Sequence, residues 1–202
     1  METIKKSILL CFLLLAINAH SQTLTEAFAK SYATEKVGNY KDAIAAIQTK
    51  YEPNSYEMNL RLGWLFYQDK KYPESISYYQ KAKAIFPNST EPLWGMIYPL
   101  SAQEKWNGVD QVYKDILKLD PTNSKANYYL GSIFYYRKDY NQAKKYFIEV
   151  VKLYPFDHDS NLLLAWCQYF LGNKTEAKGL FTRALLNQPT DASALEGLSL
   201  IK

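Results

Sequence analysis

Five prolines recur at a fixed interval along this 202-residue chain. They are Pro53, Pro87, Pro121, Pro155 and Pro189, and each stands 34 residues after the one before it. Proline has no backbone N–H and biases the residue before it away from helical geometry, so each of these prolines predicts the end of a helix. A 34-residue interval leaves room for two short helices, and such pairs stack on their neighbours along the chain. The spacing therefore predicts an all-α repeat protein.

Two further sets of similar residues, which we call columns, recur at the same 34-residue interval. One is aromatic and the other is small, which is the pairing expected where two helices cross closely and a ring fills the space between neighbouring repeats. Burying each ring would contribute about 1.5–3 kcal/mol. The aromatic column holds Tyr79, Tyr113, Phe147 and Phe181, and the small column holds Gly63, Gly131 and Ala165.

Three short segments carry a resemblance to a known family. Residues 38–43 (GNYKDA) and 138–143 (KDYNQA) look like the turn between two paired helices, and residues 119–123 (LDPTN) look like a closing turn. The pattern resembles the tetratricopeptide repeat and covers roughly residues 23–202. The resemblance implies an all-α, right-handed α-α superhelix, a solenoid of helix-pair repeats. The expected repeats span about 23–53, 54–87, 88–121, 122–155 and 156–189.

A final helix is expected over residues 191–201. It carries Leu195, Leu198 and Ile201 on one face, which suits a terminal helix that shields the last repeat from water. Asn or Ser beyond a proline, as at Asn123, can cap the next helix.

Two repeats depart from the pattern. In repeat one the turn at residues 38–40 comes two residues late, so its second helix should be short. Repeat three has Ile97, Val109 and Ile116 where small residues are expected, so its helices should lie further apart. Pro99 falls inside its first helix and should kink it. Drift in a tolerant repeat is the alternative interpretation.

The first 21 residues predict an export signal rather than a part of the fold. Lys5 and Lys6 precede an unbroken apolar run of ten residues over 8–17, and a small-x-small pattern ends at Ser21. This layout is typical of a secretory signal peptide, with cleavage leaving the domain 22–202. An uncleaved membrane anchor is the alternative, although the run is half the length of a spanning helix. A periplasmic or cell-surface location, in a bacterial envelope, is expected.

Composition excludes several classes of chemistry. The net charge is only +4 and the basic pairs are scattered, so no nucleic-acid partner is expected. After cleavage one cysteine and one histidine remain, too few for the usual metal sites. Cys167 is predicted to be a buried thiol and His158 a solvated surface residue. We therefore expect no catalytic residues, no metal and no cofactor, and hence no enzyme.

Aromatic residues dominate the positions that the family uses to line its concave groove. Carried over residue by residue, the resemblance gives Trp64, Tyr67, Trp94, Tyr98, Tyr128, Tyr129, Tyr135, Tyr136, Trp166, Tyr169 and Phe170. Tyr67, Tyr98, Tyr135 and Tyr169 are the expected exposed set. The alternative is that many of these rings pack between adjacent helices as core. A further column, Asn59, Asn127 and Asn161, could bind a ligand but is better explained as bracing the turns between repeats.

These features favour a non-catalytic scaffold of the cell envelope that binds a protein or peptide partner along an aromatic groove. Tyrosine and tryptophan suit this role because they offer apolar area, a polar tip and few rotatable bonds. A carbohydrate-binding module for cell-wall glycans is the alternative, since aromatic faces also stack on sugars. No stable membrane span is expected after cleavage, and the oligomeric state stays open.

Overall fold

The computed structural model describes residues 23–201, which form eleven helices and no strand. The predicted signal peptide, residues 1–21, lies outside the described residues. The first helix, α1, covers 23–36 within the described part of the chain. The others are α2 (Tyr40–Gln48), α3 (Tyr56–Gln68), α4 (Tyr72–Ile85), α5 (Glu91–Ala102), α6 (Trp106–Leu119), α7 (Ser124–Tyr136), α8 (Tyr140–Leu153), α9 (His158–Phe170), α10 (Lys174–Asn187) and α11 (Ala192–Leu200).

The helices follow the predicted repeats in pairs. Each of the five repeats holds two helices, and α11 stands at the position predicted for the terminal helix. The all-α helical-repeat fold is therefore confirmed. The second helix of repeat one, α2, has 9 residues, whereas α4, α6, α8 and α10 have 14 each. The prediction of a short second helix in that repeat is confirmed as well.

The asparagine column braces the turns that contain the periodic prolines. The side-chain amide of Asn127 donates to the carbonyl oxygens of Pro121 and Asn123, both at 3.0 Å. Asn59 and Asn161 make the same pair of bonds to their own turns, including 2.9 and 3.0 Å bonds to the carbonyls of Pro53 and Pro155. The structural interpretation of this column is confirmed. The side chain of Asn123 also caps α7 by accepting from the N–H of Ala126.

In each repeat, the turn after the first helix contains a residue in the left-handed backbone conformation. These residues are Gly38, Lys70, Glu104, Lys138 and Gly172, with φ between 55° and 83°. The N–H two residues past the helix cap then bonds back into the last helical turn, as from Asp139 to the Phe134 carbonyl at 2.9 Å. This bonding satisfies carbonyls that the helix end leaves free. It fixes the same sharp reversal in every repeat.

Glycine permits the close helix approach that the small column predicts. The Tyr79 ring of α4 lies against Gly63 of α3 and Gly95 of α5, where an added Cβ would come within 2.8 and 2.3 Å of ring carbons. Phe147 occupies the same place over Gly131, with 3.0 Å to an added Cβ. Any side chain at these glycines would therefore push the rings out of the helix interface.

The chain forms two compact units, one up to Lys105 and one from Trp106 onward. The division falls in the turn between α5 and α6, inside repeat three. In the first unit the apolar core is centred on residues such as Ile47, Leu62 and Leu65. The second unit has two packed clusters, one around Phe147 and the other around Phe181. Each unit therefore has its own core.

Helix α5 continues through Pro99 to Ala102. Proline brings no N–H for the carbonyl of Gly95, one turn earlier. Its own carbonyl accepts a hydrogen bond from the side-chain amide of Gln103 at 2.9 Å. The side chain of Pro99 is buried. The predicted kink and the predicted widening of repeat three stay predictions.

Helix α11 covers the end of the second unit, and the face that it buries matches the predicted one in part. Ala194 and Gly197 are buried, and Leu198 and Ile201 pack against the Phe181 cluster. Leu195 is 49% exposed, so its assignment to the buried face was wrong. It lies about 100° around the helix from Ala194, because each residue turns an α-helix by that angle. Over residues 23–201, no helix combines the length and the apolar character needed to cross a bilayer.

Candidate functional site

The first unit gathers three of the predicted groove residues into an aromatic cluster. Trp64 and Tyr67 lie one turn apart on α3, and Tyr98 reaches them from α5. Their ring centroids are 5.5–6.2 Å apart, and Tyr72 of α4 lies 6.1 Å from Tyr67. These spacings are those of favourable aromatic pairs, so the rings hold each other in place. We call Trp64, Tyr67, Tyr72 and Tyr98 the first aromatic cluster.

An ion pair between the buried Arg61 and the half-buried Glu35 holds Trp64 in position. The indole N–H of Trp64 donates to Glu35 of α1, and the other carboxylate oxygen of Glu35 lies 2.6 Å from a guanidinium nitrogen of Arg61. Arg61 also donates to the Ser31 hydroxyl at 3.1 Å, and its guanidinium lies 3.8 Å from the Tyr32 ring centroid. The sequence does not predict this network, because a single buried arginine gives no periodic signal.

The second unit holds a larger cluster at the ends of α7 and α9. Tyr140 and Phe170 are stacked with centroids 4.5 Å apart, and Phe170 also stacks on Trp166 at 5.7 Å. Tyr135 and Tyr136 contact each other edge to face, and Tyr135 reaches Tyr140. With Tyr169 against Trp166 and Phe170, six rings are in contact. We call Tyr135, Tyr136, Tyr140, Trp166, Tyr169 and Phe170 the second aromatic cluster.

Exposure divides the second cluster into a base and a surface. Trp166 is buried, and its indole N–H donates to the Ser193 hydroxyl of α11 at 2.8 Å. Burial also raises the pKa of the Tyr135 hydroxyl to about 12. In contrast, Tyr136 is 77% exposed and Phe170 is 48% exposed. The exposed Phe170 therefore packs on the buried Trp166, and the exposed Tyr136 packs on the half-buried Tyr135.

The expected exposed set matches the structure only at Tyr98. Tyr67, Tyr135 and Tyr169 are half-buried, because each lies against other rings of its cluster. The exposed predicted residues are Tyr98, Tyr129, Tyr136 and Phe170. Trp94 and Tyr128 are half-buried, and Tyr129 stacks on Tyr113 with centroids 5.7 Å apart.

A concavity of about 660 Å³ opens beside the Arg61 network in the first unit. Helices α1, α3 and α5 each contribute a carboxylate to its lining, from Glu35, Glu57 and Glu91. Among the residues that the structure describes, Arg61 is the one cation of the lining. We call this space the acidic concavity, and its residues are Phe28, Tyr32, Glu35, Tyr56, Glu57, Leu60, Arg61, Trp64 and Glu91.

Two family models, both of the tetratricopeptide repeat, match residues 28–90 and 134–200. These matches span 63 and 67 residues, together more than half of the chain. The chain belongs to the tetratricopeptide repeat family. The residues between the two matches include most of repeat three, where the sequence departs most from the family pattern.

Solved structures share the fold of this tetratricopeptide repeat protein at low sequence identity. One is a tetratricopeptide repeat protein from Parabacteroides merdae (TM-score 0.69, 19% identity, covering 89% of this chain and 72% of that one). Another is MamA from Desulfovibrio magneticus RS-1 (0.64, 14%, 84% and 97%). A third is YrrB, described as a tetratricopeptide repeat protein with an unusual peptide-binding site (0.66, 14%, 92% and 97%). No curated protein matches the chain in sequence.

His158 and Cys167, the histidine and the cysteine among residues 23–201 of this tetratricopeptide repeat protein, are both buried. The prediction for Cys167 is confirmed, and burial raises the pKa of its thiol to about 12. The prediction that His158 is solvated was wrong, because its ring is 8% exposed and bonds to Asp159 at 2.8 Å. Across residues 23–201, no three His, Cys, Asp or Glu side chains are placed to hold a metal ion.

Proposed function

We propose that this tetratricopeptide repeat protein is a non-catalytic scaffold that binds an extended peptide or a protein partner on its aromatic clusters. The observation that carries the proposal is the second aromatic cluster. It presents Tyr136 and Phe170 to solvent above rings that are held by their neighbours. Large apolar rings fixed at a surface are the side chains that dominate binding energy in protein interfaces.

Pre-ordering of the rings favours binding over a merely structural role for the exposed pair. A side chain that is already held in one orientation loses little entropy when a partner docks on it. Phe170 is stacked on both Tyr140 and Trp166, so its orientation is set before any partner arrives. The fold shared with YrrB, described as having a peptide-binding site, supports the same conclusion.

Selection of peptides on the purified protein tests the proposal. A displayed library of random dodecamers is selected on the wild type, and dissociation constants of the winning peptides are measured by fluorescence anisotropy. We expect Tyr136→Ala with Phe170→Ala to weaken binding at least tenfold, which corresponds to about 1.4 kcal/mol. Leu186→Ala is the matched control, because Leu186 is an exposed apolar residue of α10 outside the cluster.

The same double variant also distinguishes peptide binding from carbohydrate binding. Unchanged peptide binding by the double variant would remove the aromatic cluster from the proposal. Binding on a glycan array, lost in the same double variant and without any selected peptide, would instead favour the carbohydrate-binding alternative. The rings would then act by stacking on sugar faces.

We further propose that the protein works outside the cytoplasm, in the periplasm or at the cell surface. The support is the sequence of residues 1–21, with its basic start, apolar run and small residues before Gln22. Mass spectrometry of the protein recovered from envelope fractions should show Gln22 as its first residue. Recovery of uncleaved chain from the membrane fraction would favour the anchor, and recovery from the cytoplasm would contradict export.

A further inference from the structure

The acidic concavity of the first unit carries more negative than positive charge. Of its three carboxylates, Glu35 is neutralised by Arg61 through a 2.6 Å ion pair. Glu57 and Glu91 are exposed, and neither forms an ion pair with any described residue. Glu91 accepts a hydrogen bond from the Tyr56 hydroxyl at 2.9 Å, which fixes its position. The concavity therefore presents two uncompensated negative charges to whatever enters it.

The same concavity has aromatic walls. Tyr32, Tyr56 and Trp64 line it. Trp64 is held by Glu35, and Tyr56 by its bonds to Glu91 and to the Ser89 hydroxyl at 2.8 Å. A cation over such a ring is attracted by the negative face of its π system. Carboxylates at the rim and rings on the walls both favour a positively charged group.

The buried side chain of Arg61 indicates that a ligand would also carry a hydrogen-bond acceptor. The Arg61 side chain is 5% exposed, and its Nη2 has no hydrogen-bond acceptor among residues 23–201. A buried donor without an acceptor is costly, and a carbonyl oxygen would satisfy it. The Tyr32 ring that covers the guanidinium is itself 56% exposed. Exposed side chains change rotamer rapidly, so this ring can turn aside and admit an acceptor.

We propose that the acidic concavity binds a lysine or arginine side chain of the peptide partner. The basic group lies against Trp64 and Tyr56 between the carboxylates of Glu57 and Glu91, and a main-chain carbonyl of the same peptide accepts from Arg61. A peptide segment supplies both groups at once, whereas a simple cation has no acceptor and an acidic peptide meets like charges. This inference rests on the proposed function and names the chemistry of the partner.

The test compares peptide selections on two forms of the full protein. Random dodecamers are selected on the wild type and on the variant Glu57→Gln with Glu91→Gln, which removes two charges from exposed positions without changing side-chain size. We expect lysine and arginine to be enriched at least twofold in peptides selected on the wild type and to return to library frequency on the variant. The matched control, Glu176→Gln with Glu196→Gln, removes the same charge from exposed residues of the second unit and should keep the enrichment.

Binding of one selected peptide completes the test. Replacing its lysine by norleucine should weaken binding to the wild type at least fivefold and leave binding to the Glu57/Glu91 variant unchanged. The lysine peptide should also weaken as salt rises, since ions screen exposed charges. Peptides selected without basic residues, or equal enrichment on both forms, would overturn the inference while the proposed function stands. Failure to select any peptide on either form would overturn both.

Discussion

Lys70, Glu104 and Lys138 have a backbone conformation that normally belongs to glycine. Their φ angles are 61°, 55° and 62°, and they stand 34 residues apart at the left-handed position of the repeat turn. The following repeat uses Gly172 at the same position. In a residue with a Cβ this conformation costs about 1–2 kcal/mol. In three of the five repeats, the left-handed residue of the turn therefore lowers the stability of the folded protein.

Lys138→Gly should stabilise the protein by about 0.5–1 kcal/mol. The substitution removes the left-handed cost, and the extra freedom that glycine has in the unfolded chain offsets part of this gain. The free energy of unfolding from urea titration measures it. Lys138→Ala keeps a Cβ in the same conformation and should change stability by less than about 0.5 kcal/mol. Destabilisation by the glycine variant would contradict this account of the turn.

The buried thiol of Cys167 makes stability depend on pH in the alkaline range. Burial raises its pKa from 9.0 to about 12, so above pH 9 the unfolded chain releases a proton that the folded chain retains. The contribution to stability is complete below about pH 9 and is lost as the pH rises toward 12. Its slope is at most about 1.4 kcal/mol per pH unit. Cys167→Ala should therefore show a shallower loss of unfolding free energy between pH 9 and 11, and identical slopes would refute this.

The roles of residues that recur at the repeat interval were predictable from the sequence, whereas the environment of an isolated residue was not. The asparagine column was expected to brace turns because three copies stand at the repeat interval, and the bonds to Pro53, Pro121 and Pro155 confirm it. His158 has no equivalents in other repeats, so only its charged neighbours suggested an environment. Its burial depends on how α9 and α11 pack, since Nε2 lies 3.6 Å from Asp191 at the start of α11.

At the scale of elements, a ring from the second helix of a repeat fixes the spacing of the helices around it. Phe181 of α10 lies against Gly197 of α11, where an added Cβ would come within 2.3 Å of the ring. The same ring contacts Trp166 of α9, with centroids 5.0 Å apart. Phe181 thus sets the position of α11 over the end of the second unit.

Gly197→Ala should destabilise the protein by about 1–3 kcal/mol, the usual cost of adding a methyl group to a packed core. Gly179→Ala is the control within α10, because nothing described lies within 4 Å of its added Cβ. That substitution should stabilise by about 0.5–1 kcal/mol through helix propensity. Urea unfolding monitored by tryptophan fluorescence compares the two. Equal effects would show that Phe181 does not fix α11.

The positions of the helices were largely predictable from the sequence, whereas the face that a helix turns toward the core was not always predictable. The periodic prolines, the helix caps and the aromatic column predicted the helix pairs, the short α2 and the terminal helix α11. On α11 the prediction was right for Leu198 and Ile201 and wrong for Leu195, because all three were assumed to point inward. The small residues Ala194 and Gly197 lie inward instead, since the Phe181 ring already fills that space. The contact of Trp166 with Ser193 of α11 is one that no local pattern in the sequence reveals.

At the scale of the whole molecule, the chain divides into two compact units inside repeat three. The division at Lys105 and Trp106 falls within it, and the family matches lie on either side. Enlarged residues and Pro99 had already marked this repeat as exceptional. Each unit presents its own aromatic cluster, and the first also has the acidic concavity. The clustering of aromatic residues follows from their columns in the sequence, whereas the Arg61 network depends on contacts between α1 and α3.

Photo-crosslinking in the native cells tests the central claim, that the exposed aromatic rings bind a protein partner. A benzoylphenylalanine is placed at position 136, in the second aromatic cluster, or at position 186, an exposed apolar position outside it. We expect irradiation to give a discrete protein adduct in the envelope fraction from position 136, reduced by Phe170→Ala, and none from position 186. No adduct from position 136, or the same adducts from both positions, would contradict the claim.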